Sequence, residues 1–176
     1  MKIAFIGTHG TGKTALCHGL AQWLISKNKK VSMVTEIARL AKKAGFPINE
    51  QTTIKSQKWI ILTQIAKEVE EEKESEFVVC DRGIIDNYAY LTHKFGKQVD
   101  LEPLIKHHLK SYNFLFKVPI YYKLQFDGIR TTNPNFQKEI DEEIDKVLNE
   151  KKVKHHKLSE KKDFLEQTKK LIEEHL

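Results

Sequence analysis

The stretch Gly7-Thr8-His9-Gly10-Thr11-Gly12-Lys13-Thr14 runs glycine, four residues, then Gly-Lys-Thr, the spacing of a loop built to hold phosphate. Its flanks agree. Lys2 to Gly7 (KIAFIG) is a short apolar run ending in glycine, as in a buried parallel strand. From Lys13 to about Lys27, Leu16, Leu20, Trp23 and Leu24 repeat at helical spacing. Glycines let the backbone curl so that successive N–H groups face one anion, and the helix that follows aims its positive end at the same point. All eight residues are therefore expected to bind nucleotide. Lys13 would bridge the β- and γ-phosphates of ATP, and Thr14 would ligate Mg2+. His9 is expected to be a permissive filler.

Working outward, Val31 to Val34 reads as a second strand and Ile37 to Lys43 as a helix, with a break at Gly45-Phe46-Pro47. A long helix follows, with Ile54, Ile61, Leu62, Ile65 and Val69 on one face. Phe77 to Cys80 is a wholly apolar third strand. Helices are expected over Asp86 to Phe95 and Leu101 to Tyr112, then a strand over Phe114 to Val118. Asn133 and Pro134 read as the N-cap and first-turn proline of a helix whose core face is Phe136, Ile140, Ile144 and Val147. A strand over Val153 to Leu158 and a helix using Phe164, Leu165, Leu171 and Ile172 close the pattern. Strands alternating with helices make parallel βαβ units, so the expected class is α/β. The expected architecture is a three-layer P-loop NTPase fold, a parallel sheet with helices on both faces, in one domain over residues 1–176. The acidic run Glu68 to Glu76 is expected to be a solvated helix end.

At 176 residues and 40% hydrophobic content, the chain can bury one core without disulfides. Cys17 and Cys80 sit among apolar neighbours and read as buried cytosolic thiols rather than a disulfide or zinc framework. No stretch approaches the roughly 18 apolar residues of a membrane span, and a signal-peptide pattern is absent, so the expectation is cytoplasmic with no membrane partner. The net charge is +6. Its lysines are interspersed with glutamates, which favours small anionic ligands over nucleic acid while leaving nucleic acid possible. Only Arg39, Arg82 and Arg130 are arginines among 30 basic residues. An arginine here marks a place where a rigid, bidentate fork for phosphate or carboxylate is wanted.

Phe77-Val-Val-Cys-Asp-Arg82 is an apolar strand that ends in a carboxylate at the sheet edge beside the phosphate loop. Asp81 is therefore expected to hold Mg2+ with Thr14, through water, because magnesium keeps much of its hydration shell. Motor-like ATPases often follow this aspartate with a glutamate that polarises water. Here Arg82 follows, which argues against hydrolysis as the purpose, and the chain lacks the Asn-Lys-x-Asp motif of guanine readers. Asp86, five residues on, is either a helix-start residue or a second acidic group of the site.

Asp81-Arg82-Gly-Ile-Ile-Asp86-Asn-Tyr-Ala-Tyr90 resembles the Asp-Arg segment of thymidylate kinases. Thr35-Glu36-Ile-Ala-Arg39 resembles the segment after the second strand of ribosylnicotinamide kinases. Both are P-loop kinases of nucleosides and nucleotides. The resemblance implies that Glu36 accepts the proton of the attacking hydroxyl while Arg39 and Arg82 position acceptor or phosphate. On its own residue type, Glu36 could equally cap its helix or pair with a lysine. In such kinases the segment around Asp127-Gly-Ile-Arg130-Thr-Thr-Asn-Pro134 is a mobile lid, here about residues 127–135. Arg130 would then neutralise charge on the transferred group, or else pair structurally with Asp127 or Glu139. A helix such as Thr52 to Lys73 covers the acceptor in such kinases, and Gln64 would read it, whereas Trp59 reads as core ahead of a stacking platform. The expected catalytic set is thus Lys13, Glu36, Arg82 and Arg130, and the acceptor set is Glu36, Arg39, Gln64 and Arg82. The expected activity is transfer of a phosphoryl group from Mg-ATP to a small nucleoside- or nucleotide-like acceptor. A regulatory nucleotide-binding ATPase module and an RNA-end kinase or RNA-binding ATPase are the alternatives.

Overall fold

A computed structural model describes residues 1–35, 37–121, 132–159 and 163–176. Its elements in chain order are β1 (Lys2–Ile6), α1 (Lys13–Ser26), β2 (Val31–Val34), α2 (Ile37–Lys43), α3 (Ile54–Glu74), β3 (Phe77–Asp81), α4 (Ile84–Phe95), α5 (Glu102–Leu109), β4 (Phe114–Lys117), α6 (Pro134–Glu150), β5 (His156–Lys157) and α7 (Phe164–Glu173). Among the described residues the strands form one sheet in the order β2-β3-β1-β4-β5, and every pairing is parallel.

Both faces of the sheet are covered, which is why its strands read as unbroken apolar runs rather than alternating ones. Successive β1 side chains point to opposite faces. Ala4 and Ile6 join Val78, Cys80 and Leu115 under α3, α4, α5 and α6, whereas Ile3 and Phe5 join Val79, Phe114 and Phe116 under α1 and α7. The sheet is thus the middle of three layers, as the alternation of strands and helices implies. Cys17 and Cys80 are free thiols in these cores, and burial, first of all, pushes both thiols well above their ordinary pKa. No described helix is long and apolar enough to cross a membrane.

Four elements depart from the sequence expectation, among them α5, which ends at Leu109 rather than Tyr112. The last strand is only His156–Lys157, because β4, its ladder partner among the described residues, ends at Lys117. Helix α4 begins two residues before Asp86, which caps it from its third position. The acidic run at the end of α3 is not solvated throughout. Glu68 is fully buried, because the face carrying Gln57, Ile61 and Gln64 continues through it. The expected N-cap of α6 is present, with Asn133 Oδ1 accepting from the N–H groups of Asn135 and Phe136.

Candidate active site

The phosphate loop lies where β1, β3 and β4 end together, at the carboxyl edge of the sheet. Gly7 has φ +145°, and a Cβ there would lie 2.7 Å from the Val118 carbonyl oxygen, so only glycine fits without moving backbone. Gly10 and Gly12 also have positive φ, and Gly12 is the left-handed N-cap from which α1 starts. The α1 amino end, with Lys13 and Thr14 in its first turn, thus faces the loop.

Lys13 is almost wholly buried and folds back into the loop. Its ammonium donates to the Thr8 carbonyl and, at 3.1 Å, to Thr11 Oγ1. Thr14 Oγ1 donates to Asp81 Oδ2 at 2.5 Å. The other carboxylate oxygen, Asp81 Oδ1, is buried with no hydrogen-bond partner among the described residues. A buried, unpartnered carboxylate oxygen is costly unless something supplies charge or a donor. Thr14 and Asp81 supply hard oxygen donors of the kind that would hold Mg2+. Elsewhere among the described residues no cluster of three or more His, Cys, Asp or Glu side chains could hold a metal.

Asp86 takes both of the parts its sequence left open. It is fully buried on α4. Its Oδ2 accepts from Gly83 N–H at 2.8 Å, capping the helix, and its Oδ1 accepts from Gly7 N–H at 2.6 Å, fastening the first glycine of the loop. Burial raises the Asp86 pKa above the ordinary aspartate value, although Lys13, Arg82 and the two N–H groups pull the other way. Arg82 between them has φ +95°, rare for a residue with a side chain and costing on the order of 1–3 kcal/mol. Its guanidinium lies 5.4 Å from the centre of the Tyr90 ring. Burial would lower its pKa, but Tyr90, Asp86 and Asp81 outweigh that and raise it.

His9 is anchored through both its ring and its backbone. Its Nδ1 lies 3.0 Å from Tyr90 Oη, its ring packs near Phe136 on α6, and its carbonyl accepts from Gln137 Nε2 at 2.7 Å. Through His9 the loop is tied to the first turns of α4's neighbour α6. In the sequence Phe136 reads as core and Tyr90 only as part of the Asp-Arg segment, and Gln137 is missed. The signal for Gln137 was a polar residue adjoining the core stripe of α6, and the 128-residue separation from His9 gave no local pattern to read.

The structure therefore gathers Gly7 to Thr14, Asp81, Arg82 and Asp86 at one sheet edge. Gln64 is buried beneath the Arg82 turn, its Nε2 donating to Glu68 Oε1 at 2.7 Å and to the Arg82 carbonyl at 3.3 Å. Arg39 is exposed on α2. Trp59 packs on Phe46, with ring centres 5.2 Å apart. Glu36, Arg130, Asp127 and most of the expected lid lie outside the described residues.

A family model described as "AAA domain" matches residues 2–166. No curated protein matches the chain. Among solved structures, a thymidylate kinase from Ehrlichia chaffeensis superposes with a TM-score of 0.69 at 16% identity, over 98% of each chain. A deoxyadenosine kinase from M. mycoides, solved with dCMP and dCDP, gives a TM-score of 0.66 at 13% identity, over 99% of this chain and 98% of that one. At such identities the likeness is one of fold. The chain shares the fold of these two kinases, and with residues 2–166 matched it belongs to the AAA domain family.

Proposed function

We propose that this protein is an ATP-dependent phosphotransferase acting on a small nucleoside- or nucleotide-like acceptor. The observation that carries this reading is the Asp81–Arg82 corner. A carboxylate paired with Thr14 keeps one oxygen open, and the next residue is a half-buried arginine held at positive φ instead of a carboxylate that would activate water. Incoming phosphate would replace Thr8 and Thr11 as the partner of the Lys13 ammonium. The N–H groups of residues 8–14 and the α1 amino end would hold its oxygens. Mg2+, when bound by Thr14 and, through water, Asp81, would offset charge on the β- and γ-phosphates.

Arg82, next to Asp81 and with its guanidinium near the Tyr90 ring, would steady the transferred group. Arg39 belongs to the acceptor set by resemblance, and the buried Gln64 would act on the acceptor through the Arg82 backbone to which it is bonded. Glu36 as proton acceptor and Arg130 as a lid cation complete the catalytic set by resemblance.

A phosphoryl-transfer screen tests the reading. The protein and Mg-ATP are incubated with nucleosides, nucleoside monophosphates, ribosylnicotinamide and short RNA ends. Product on one small acceptor is expected; ATP bound with no product, or product only on RNA ends, sinks it. A second prediction concerns the metal pair. Asp81→Asn is expected to weaken Mg2+ affinity in the ATP-bound protein by roughly 10–100-fold, while metal-free nucleotide binding stays near that of wild type. Titration of Mg2+ at fixed nucleotide reads this, and unchanged Mg2+ affinity would remove Asp81 from the metal site.

A further inference from the structure

Helix α3 carries a buried charge that neither the phosphate loop nor the metal pair uses. The Glu68 carboxylate, fully buried, meets three hydrogen-bonding side chains and the ammonium of an ion pair. Gln64 Nε2 and Tyr112 Oη each lie 2.7 Å from Oε1, and His108 Nε2 at 2.7 Å and Lys2 Nζ at 3.0 Å flank Oε2. Burial would push its pKa up, but His108, Lys2 and Gln64 prevail and hold it below the ordinary glutamate value. The group is therefore an anion, and an anion fixes the polarity of its neighbours. The Gln64 amide must turn its NH2 inward, and the Tyr112 hydroxyl must point its proton at Glu68.

Two of those neighbours have a second partner. Gln64 Nε2 also donates to the Arg82 carbonyl at 3.3 Å, and Tyr112 Oη, its proton spent on Glu68, accepts from the Ile84 N–H at 2.9 Å. These are the backbone groups on either side of Gly83. The gripped turn is the one that holds Arg82 at φ +95° and starts the helix from which Asp86 reaches Gly7. A left-handed arginine persists only where its surroundings over-determine it, and these two bonds supply that restraint.

We infer that Glu68 is a positioning residue of the site, fixing the backbone around Gly83 through Gln64 and Tyr112 and thereby holding Arg82 in its left-handed turn and Asp86 against Gly7. The kinetic arm of its test rests on the phosphotransferase reading; the structural arm does not. Tyr112→Phe and Gln64→Leu remove one grip each and leave the carboxylate in place, so one folded variant suffices.

Amide hydrogen exchange is measured at residues 82–86 and normalised to Phe5 in β1, which reports global opening. Exchange there is expected to accelerate about tenfold beyond that of Phe5. On the acceptor found by the screen, kcat is expected to fall about tenfold in wild-type background and not to fall further in Arg82→Ala, because coupled residues are not additive. Unchanged normalised exchange overturns the inference, as does an equal fall in kcat with and without the Arg82 side chain. If wild type transfers nothing to any acceptor, the phosphotransferase reading fails, and the exchange result alone supports or overturns the grip on the turn.

Discussion

Lys13→Ala is expected to lower phosphoryl transfer on the order of 10²–10³-fold, the loss seen when one preorganised donor to developing charge is removed. The magnitude follows from where the ammonium sits. It is 5% exposed and surrounded by loop oxygens rather than water, so its attraction for phosphate is weakly screened. The fold should survive, since the hydrogen bonds it gives up to the Thr8 carbonyl and the Thr11 hydroxyl lie within the loop itself. A second consequence concerns Asp86. Its pKa is already raised by burial, and Lys13 is the foremost cation holding it down, so the alanine variant should drive it higher still. Single-turnover transfer under saturating Mg-ATP is the measurement. Transfer close to that of wild type would show that the loop does not serve the chemistry.

The second large effect falls on stability. Glu68→Ala should cost about 3 kcal/mol, the lower end of the range for breaking a buried ion pair, because Lys2 keeps Glu72 at 2.9 Å while Tyr112 and Gln64 lose their acceptor. For a chain of this size the melting temperature should drop by roughly 10 °C. The pH dependence has a definite sign. The folded pKa of Glu68 lies below the ordinary 4.5, so its contribution is fully present above pH 4.5 and is lost as pH falls through the folded value. Wild type should therefore lose stability on acidification below 4.5, and Glu68→Gln should flatten that limb. Thermal melts across pH 3 to 7 decide it, and parallel acid limbs in the two proteins would show that Glu68 is not ionised in the fold.

Much of the site was legible because it is contiguous. The loop from Gly7 to Thr14 is a local pattern with a mechanism, and Asp81 follows from an apolar strand that had to run beside β1. The fold was legible for the same reason, since strands buried on both faces leave unbroken apolar runs. What escaped was long-range. Asp86 meets Gly7 across 79 residues and His9 meets Tyr90 across 81, pairings that no spacing announces. Glu68 was hidden by its company, five further glutamates before residue 77. Helical periodicity held the clue, since Gln57, Ile61 and Gln64 place position 68 on the inward face. Lys2 was similar, a cation at the head of a strand every residue of which is buried.

The central place of β1 in the sheet bears on how the protein is born. It is synthesised before the other four strands, yet its two neighbours are β3 and β4, and β4 ends only at Lys117. At ribosomal speeds of about 5–20 residues per second, its apolar stretch Ile3 to Ile6 waits on the order of 10 s for its second neighbour. During that interval the phosphate loop has no floor, and the nascent chain presents a hydrophobic edge of the kind that holdase chaperones recognise. The strand that anchors the finished site is thus the one most in need of shelter on the ribosome.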